Sequence, residues 1–198
     1  MILLPRTLTV YQLDPARPVA TDFGIPGCEC KPFLPADIDT YFGQDPQRAR
    51  TFAGFLQAGY HGLLVHDDRG WAGYAWHSTP ASPGPPQLPR WLHPDHPYWL
   101  FYAHTREDCR GRGIHKAMLR LRLAGIEALA GRRVPVWSES LAGNIPSRRA
   151  LLALGFRPMG VLTCLSLTLP FLPPLNLGWW DPDSIHPPLG ACPQEAAR

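Results

Sequence analysis

Midway along the chain an aromatic and apolar run, Tyr98–Thr105, empties into Arg110-Gly111-Arg112-Gly113 and then into the helical pattern of Ile114–Ala130. A strand without polar alternation is buried on both faces, so it belongs inside a sheet covered by helices on either side. In the helix Ile114, Met118, Leu121 and Ile126 recur at roughly helical spacing, while Lys116, Arg120 and Glu127 lie elsewhere around it. Strand, glycine turn and helix in that order describe an α/β architecture.

The flanking segments extend that reading. Leu8–Leu13 is strand-like. Asp37–Tyr41 and Asp45–Ala58 are helical, the second opening on Asp45-Pro46 as N-cap and first-turn proline. Tyr60–His66 and Gly70–Ser78 form an antiparallel hairpin about Asp67-Asp68-Arg69, and a loop follows from Thr79 to Pro97. Val134–Ser140 is a strand, Asn144–Leu154 a helix stopped by Gly155, and Val161–Leu169 the last clear strand. A chain of 198 residues supports a single core. One domain is expected over residues 1–170, and a proline-rich C-terminal tail over 171–198.

The uncharged run Pro158–Trp180 is long enough to raise a membrane span, but Pro158, Pro170, Pro173 and Pro174 interrupt it. Met1–Leu4 is too short for a secretory core. The expectation is a soluble, cytoplasmic protein without a membrane partner. Cys28, Cys30, Cys109, Cys164 and Cys192 are scattered, as reduced thiols are, and Cys28-Glu29-Cys30 lacks the second pair that a metal site needs. No metal is expected.

Charge is concentrated. Residues 106–157 carry eleven Arg or Lys against four acids, while the rest of the chain is net acidic and the total is +3. An anionic ligand accounts for that asymmetry; so, for individual arginines, do solvated helix faces. Nucleic acid is disfavoured, because no recognition motif accompanies the arginines.

A Gly-x-Gly turn between strand and helix suits a phosphate, since glycines admit close backbone approach and the first helical N–H groups lack partners. It also suits a plain strand-to-helix turn. Neither a Walker A lysine nor a dinucleotide Gly-x-Gly-x-x-Gly is present. A second signal lies further on, where Asn144, Ser147, Gly155 and Phe156 frame a helix.

With these two motifs the chain resembles the GCN5-related N-acetyltransferase (GNAT) superfamily, over about Leu8 to Leu169. The first matches the family's Arg/Gln-Gly-x-Gly turn, although His115 stands where Gly or Ala is frequent. The second matches its Asn-x-x-Ser/Ala helix ending in Gly-Phe, with Leu151 at the position of a tyrosine that in many members protonates the departing thiolate. Pro97-Tyr98-Trp99-Leu100 and Pro135–Glu139 also look like the family's strands.

The resemblance implies a mixed, mostly antiparallel sheet with helices on both faces, in which two parallel neighbours, here Tyr98–Thr105 and Val134–Ser140, splay apart. It implies acetyl-coenzyme A as co-substrate and acyl transfer to an amine of a small molecule or peptide by direct attack. Cofactor contacts would come from Ala103, Thr105, Arg110, Gly111, Arg112, Gly113, Ile114, His115, Asn144 and Ser147. Asn144 serves equally as a helix N-cap. Candidates for the base are Glu139 and His104, each of which has a plain reading as a salt-bridged carboxylate or a packed histidine. Cys109 adjoins the positive turn, which would lower its pKa. A homodimer fits this reading, and a non-catalytic acyl-coenzyme A sensor on the same fold is the alternative that Leu151 motivates.

Overall fold

The computed structural model describes residues 5–14, 24–167 and 175–184. In chain order the elements are β1 (Arg6–Leu13), β2 (Glu29–Pro32), α1 (Ala36–Phe42), α2 (Pro46–Gln57), β3 (His61–Asp67), β4 (Gly70–Ser78), β5 (Trp99–Thr105), α3 (Ile114–Ala130), β6 (Val136–Leu141), α4 (Ile145–Ala153), β7 (Arg157–Leu167) and β8 (Leu175–Asp181). They form one eight-stranded sheet in the order β2-β3-β4-β5-β6-β1-β7-β8. Among the described residues only β5 and β6 run parallel; the other pairs are antiparallel.

Local chemistry sets the helix ends as the sequence suggests. The Asp45 carboxylate accepts the Arg48 N–H at 2.9 Å and Pro46 fills the first turn of α2. Asn144 caps α4 by accepting the Ser147 N–H at 3.3 Å. α3 opens on Gly113 and closes on Gly131, both in the left-handed region.

The sheet separates two cores. On one face α1 and α2 bring Phe42, Phe52 and Phe55 onto Tyr74, Trp76 and Phe101, an aromatic cluster with many edge-on ring pairs. On the other, Leu119, Leu123 and Ile126 of α3 and Leu151 of α4 pack on Tyr11, Leu100 and Val136. The alternation of strand side chains assigns each residue to a face: Trp99, Phe101 and Trp137 face α1 and α2, whereas Leu100 and Val136 face α3 and α4.

Two features, β2 and β8, depart from the sequence reading, and the structure adds a place for β1 that the sequence leaves open. β1 lies inside the sheet, hydrogen-bonded to β6 on one side and β7 on the other. β2 is a short edge strand that the sequence did not announce. Residues 175–181, expected as tail, pair with β7 from Val161↔Asp181 to Leu167↔Leu175 as the strand β8. Pro170, Pro173, Pro174, Cys192 and the end of the expected strand at Leu169 lie outside the described residues. Among the described residues no helix is long and apolar enough to cross a membrane, and no group of three or more His, Cys, Asp or Glu is placed to hold a metal.

Candidate active site

β5 and β6 pair only at Trp99↔Trp137 and Leu100↔Ser138. The Ser138 hydroxyl donates to the Leu100 carbonyl at 3.2 Å where the ladder ends. Beyond that point the strands diverge, and the peptide groups of β5 that face β6 have no ladder partner. A bulge adds to this: Tyr74 pairs with His104 but Trp76 with Phe101, so β5 carries one extra residue there. Tyr102 in the bulge has φ 48°, the left-handed region, and is the only described residue other than glycine to adopt it. Such a conformation costs about 1–3 kcal/mol and collects at functional sites.

The gap opens into a cavity of about 1270 Å³ that runs through the sheet. That exceeds an ordinary small-ligand pocket and suits an extended molecule. Its two ends differ in construction.

One end is the mouth of α3. Gly111 and Gly113 have φ 79° and 84°, conformations that favour glycine, and no side chain caps the helix. The first helical bond is Ala117 N–H to the Gly113 carbonyl at 3.0 Å, which leaves the amides of Ile114, His115 and Lys116 without helical acceptors. A Cβ on Gly111 would meet nothing within 4 Å, and one on Gly113 only Ile25 Cδ1 at 3.7 Å, so the cradle is open to a ligand. Arg110 and Lys116 line it, with Asn144, Pro146, Ser147 and Ala150 of α4 opposite. A pyrophosphate-bearing cofactor such as coenzyme A fits this end: oriented amides, two cations and the positive pole of a helix converge on it.

The other end opens on the α1 and α2 face, where Glu139 is the acidic residue in the lining. Its carboxylate accepts from the indole N–H of Trp99 and, at 3.0 Å, from Gln87 Nε2. Burial pushes its pKa up, against the pull of those two donors and of Arg122. Arg6 of β1 donates to the Gln87 carbonyl at 3.4 Å, and Asn176 of β8 donates to the Pro86 carbonyl. The mouth is therefore built by the first strand, the 79–98 loop and the last strand. His104 stands further along β5, stacked on Tyr74 at 5.7 Å between ring centres. Burial, then Arg48 and Arg110, lower its pKa, so its imidazole is neutral at neutral pH.

Ala103, Thr105, Arg110, Gly111, Gly113, Ile114, His115, Asn144, Ser147, Glu139 and His104 all line this one cavity. Arg112 does not: its guanidinium donates to the Pro26 carbonyl at 2.7 Å and lies 4.0 Å from Asp67, leaving only its backbone at the turn. Cys109 also departs from expectation, because burial raises its pKa and Asp108 and Asp67 add to the rise. It is a buried thiol 3.6 Å from the Asp67 carboxylate, unsuited to nucleophilic work. Leu151, at the family's tyrosine position, is 1% exposed and packs in the α3/α4 core beside the cavity. Sequence reasoning missed Arg6, Gln87 and Asn176, which no motif marks, and the buried Arg122, which it counted only as one of the eleven basic residues of 106–157.

No protein-family model and no curated protein matches the chain. Solved structures do. A GNAT-family protein from Novosphingobium aromaticivorans superposes with a TM-score of 0.56 at 20% identity, over 82% of this chain and 64% of that one. A GCN5-related N-acetyltransferase from Sphaerobacter thermophilus gives 0.53 at 16% identity, over 83% and 51%. A tandem GNAT protein of the clavulanic acid biosynthesis pathway gives 0.54 at 16%, over 77% and 50%. This chain thus spans about half to two-thirds of the length of the structures it matches.

Proposed function

On the fold of the GCN5-related N-acetyltransferases, which this chain has, we propose an N-acyltransferase that moves an acyl group from a coenzyme A thioester to an amine. Acetyl-coenzyme A is the simplest such donor, and a small-molecule or peptide amine the acceptor. The observation that carries this reading is the cavity itself, which joins an uncapped helix mouth to a buried carboxylate through the gap between β5 and β6.

The amides of Ile114, His115 and Lys116, with Arg110, would hold the pyrophosphate, while Asn144 and Ser147 border the arm that leads inward. Free peptide groups of β5 at the Tyr102–Ala103 bulge would polarise the thioester carbonyl, which needs no particular side chain. Glu139 stands where an amine entering from the α1 and α2 face would deliver its proton. A carboxylate whose pKa burial has raised is a better base than an ordinary one, and the Trp99 and Gln87 donors fix its position. His104, neutral and in the same wall, is the second candidate.

Thermal stabilisation by acetyl-coenzyme A, followed by thiol release in an amine panel, tests the reading. Stabilisation with amine-dependent thiol release supports it. Stabilisation without release in any amine favours a sensor, toward which the buried Leu151 points. No stabilisation by coenzyme A or its thioesters overturns it.

A further inference from the structure

Arg122 lies on α3, two turns beyond His115, and is 2% exposed, yet it lines the cavity. One guanidinium nitrogen donates to the Trp76 carbonyl at 2.6 Å. Nε is buried without a partner, and no carboxylate of the described residues lies within ion-pair distance. Glu139 acts on it only at longer range. A guanidinium removed from water without a counter-ion is costly, so buried arginines are normally paired. This one faces the space a ligand would fill, and the missing anion is what such a ligand would bring.

Position selects which part of the ligand. Arg122 belongs to the same helix whose mouth would hold the pyrophosphate, and the nine residues from Gly113 place it about 13 Å further in. His115 and Leu119 line the cavity between. The wall they make is on the α3 and α4 face, with Leu100 and Ser138 at the end of the β5/β6 ladder. An arm entering from the helix mouth would therefore meet Arg122 at its inner, acyl end. On the proposed reading the amine would come in past Glu139, from the opposite face.

Resting on the acyltransferase reading, we propose that Arg122 receives a carboxylate carried by the acyl group, so that the preferred donor is the coenzyme A thioester of a dicarboxylic acid. The carboxylate takes no part in bond making. The amine nitrogen forms the new bond to the thioester carbonyl carbon, the C–S bond breaks, the amine proton passes to the base, and the departing thiolate takes a proton to become coenzyme A. The guanidinium fork offers two directed donors, a geometry that matches a carboxylate and that an acetyl or butyryl chain leaves unused.

Calorimetry on the full chain tests this without turnover. The probes are coenzyme A, and non-transferable thioether analogues of butyryl- and succinyl-coenzyme A. The succinyl analogue is expected to bind at least about tenfold more tightly than the butyryl one. Arg122→Lys should keep part of that margin, and Arg122→Met should abolish it while leaving coenzyme A affinity unchanged. Equal affinity of the two analogues for the wild-type chain overturns the proposal, even if Arg122→Met does not fold. So does a margin that survives Arg122→Met. Should thiol release select amines bearing a carboxylate, with no preference among donors, the anion belongs to the acceptor and the donor assignment fails. Failure of coenzyme A itself to bind would sink the acyltransferase reading instead.

Discussion

The two ends of the cavity are made of different materials. At the mouth of α3 the ligand would meet main chain: left-handed glycines, unpaired amides and the pole of a helix. At the opposite mouth it would meet side chains, Glu139, Gln87, Arg6 and Asn176, supplied by strands and a loop that are distant in sequence. A main-chain site constrains which residues can occupy adjacent positions and so writes a motif. A site of side chains gathered from afar leaves none.

The sharpest way to separate the two ends is to remove chemistry at one while keeping binding at the other. Glu139→Gln keeps the shape and removes the base, so turnover should fall by about 10²–10⁴ with coenzyme A affinity unchanged in calorimetry. In the wild type the base works only once deprotonated. Because burial raises the Glu139 pKa, kcat/KM should climb with pH through a limb lying above the ordinary carboxylate range. That limb should vanish in Glu139→Gln; if it persists there, His104 is the base.

Gly113→Glu acts at the other end, placing bulk and negative charge against the phosphate cradle. Coenzyme A affinity should drop by about 100-fold or more. Gly113→Asn, which tolerates a positive φ, should lose far less. Equal losses would mean that backbone strain, not the cradle, is being read.

Leu151→Ala tests whether the missing tyrosine matters. Its burial predicts a loss of about 2–5 kcal/mol in denaturant unfolding, with turnover per folded molecule little changed. A large loss of turnover at unaltered stability would give the α4 wall a chemical role. The smallest effect is expected from Arg6→Ala, at the exposed rim of the acceptor mouth. A rise of a few-fold in KM for the amine, with KM for the thioester unmoved, would assign that rim to the acceptor.

The sequence makes legible what local geometry dictates. The Asp45-Pro46 start of α2, the hairpin at Asp67–Gly70 and the Gly111-x-Gly113 turn all stand where their residue types require. Arg122 shows the limit: its place on a helix is clear from periodicity, but that it points into a cavity depends on how α3 meets β4. The partners of Glu139 are equally hidden, because the Trp99 and Gln87 donors reach it across the sheet, 40 and 52 residues away in sequence. β8 is obscured for another reason. Leu175, Leu177 and Trp179 alternate with Asn176, Gly178 and Trp180, yet prolines on either side read as tail.

β1 carries a consequence for how the molecule is made. During synthesis on a ribosome this strand emerges ahead of the strands that flank it, β6 and β7, which follow more than a hundred residues later. Until then both of its edges and its apolar side chains Val10 and Tyr11 have no native cover, so a nascent chain must be shielded from pairing with its neighbours on the same messenger. The wedge between β5 and β6 cannot be braced before that late insertion, and ligand-binding competence should therefore be among the last properties the newborn polypeptide acquires.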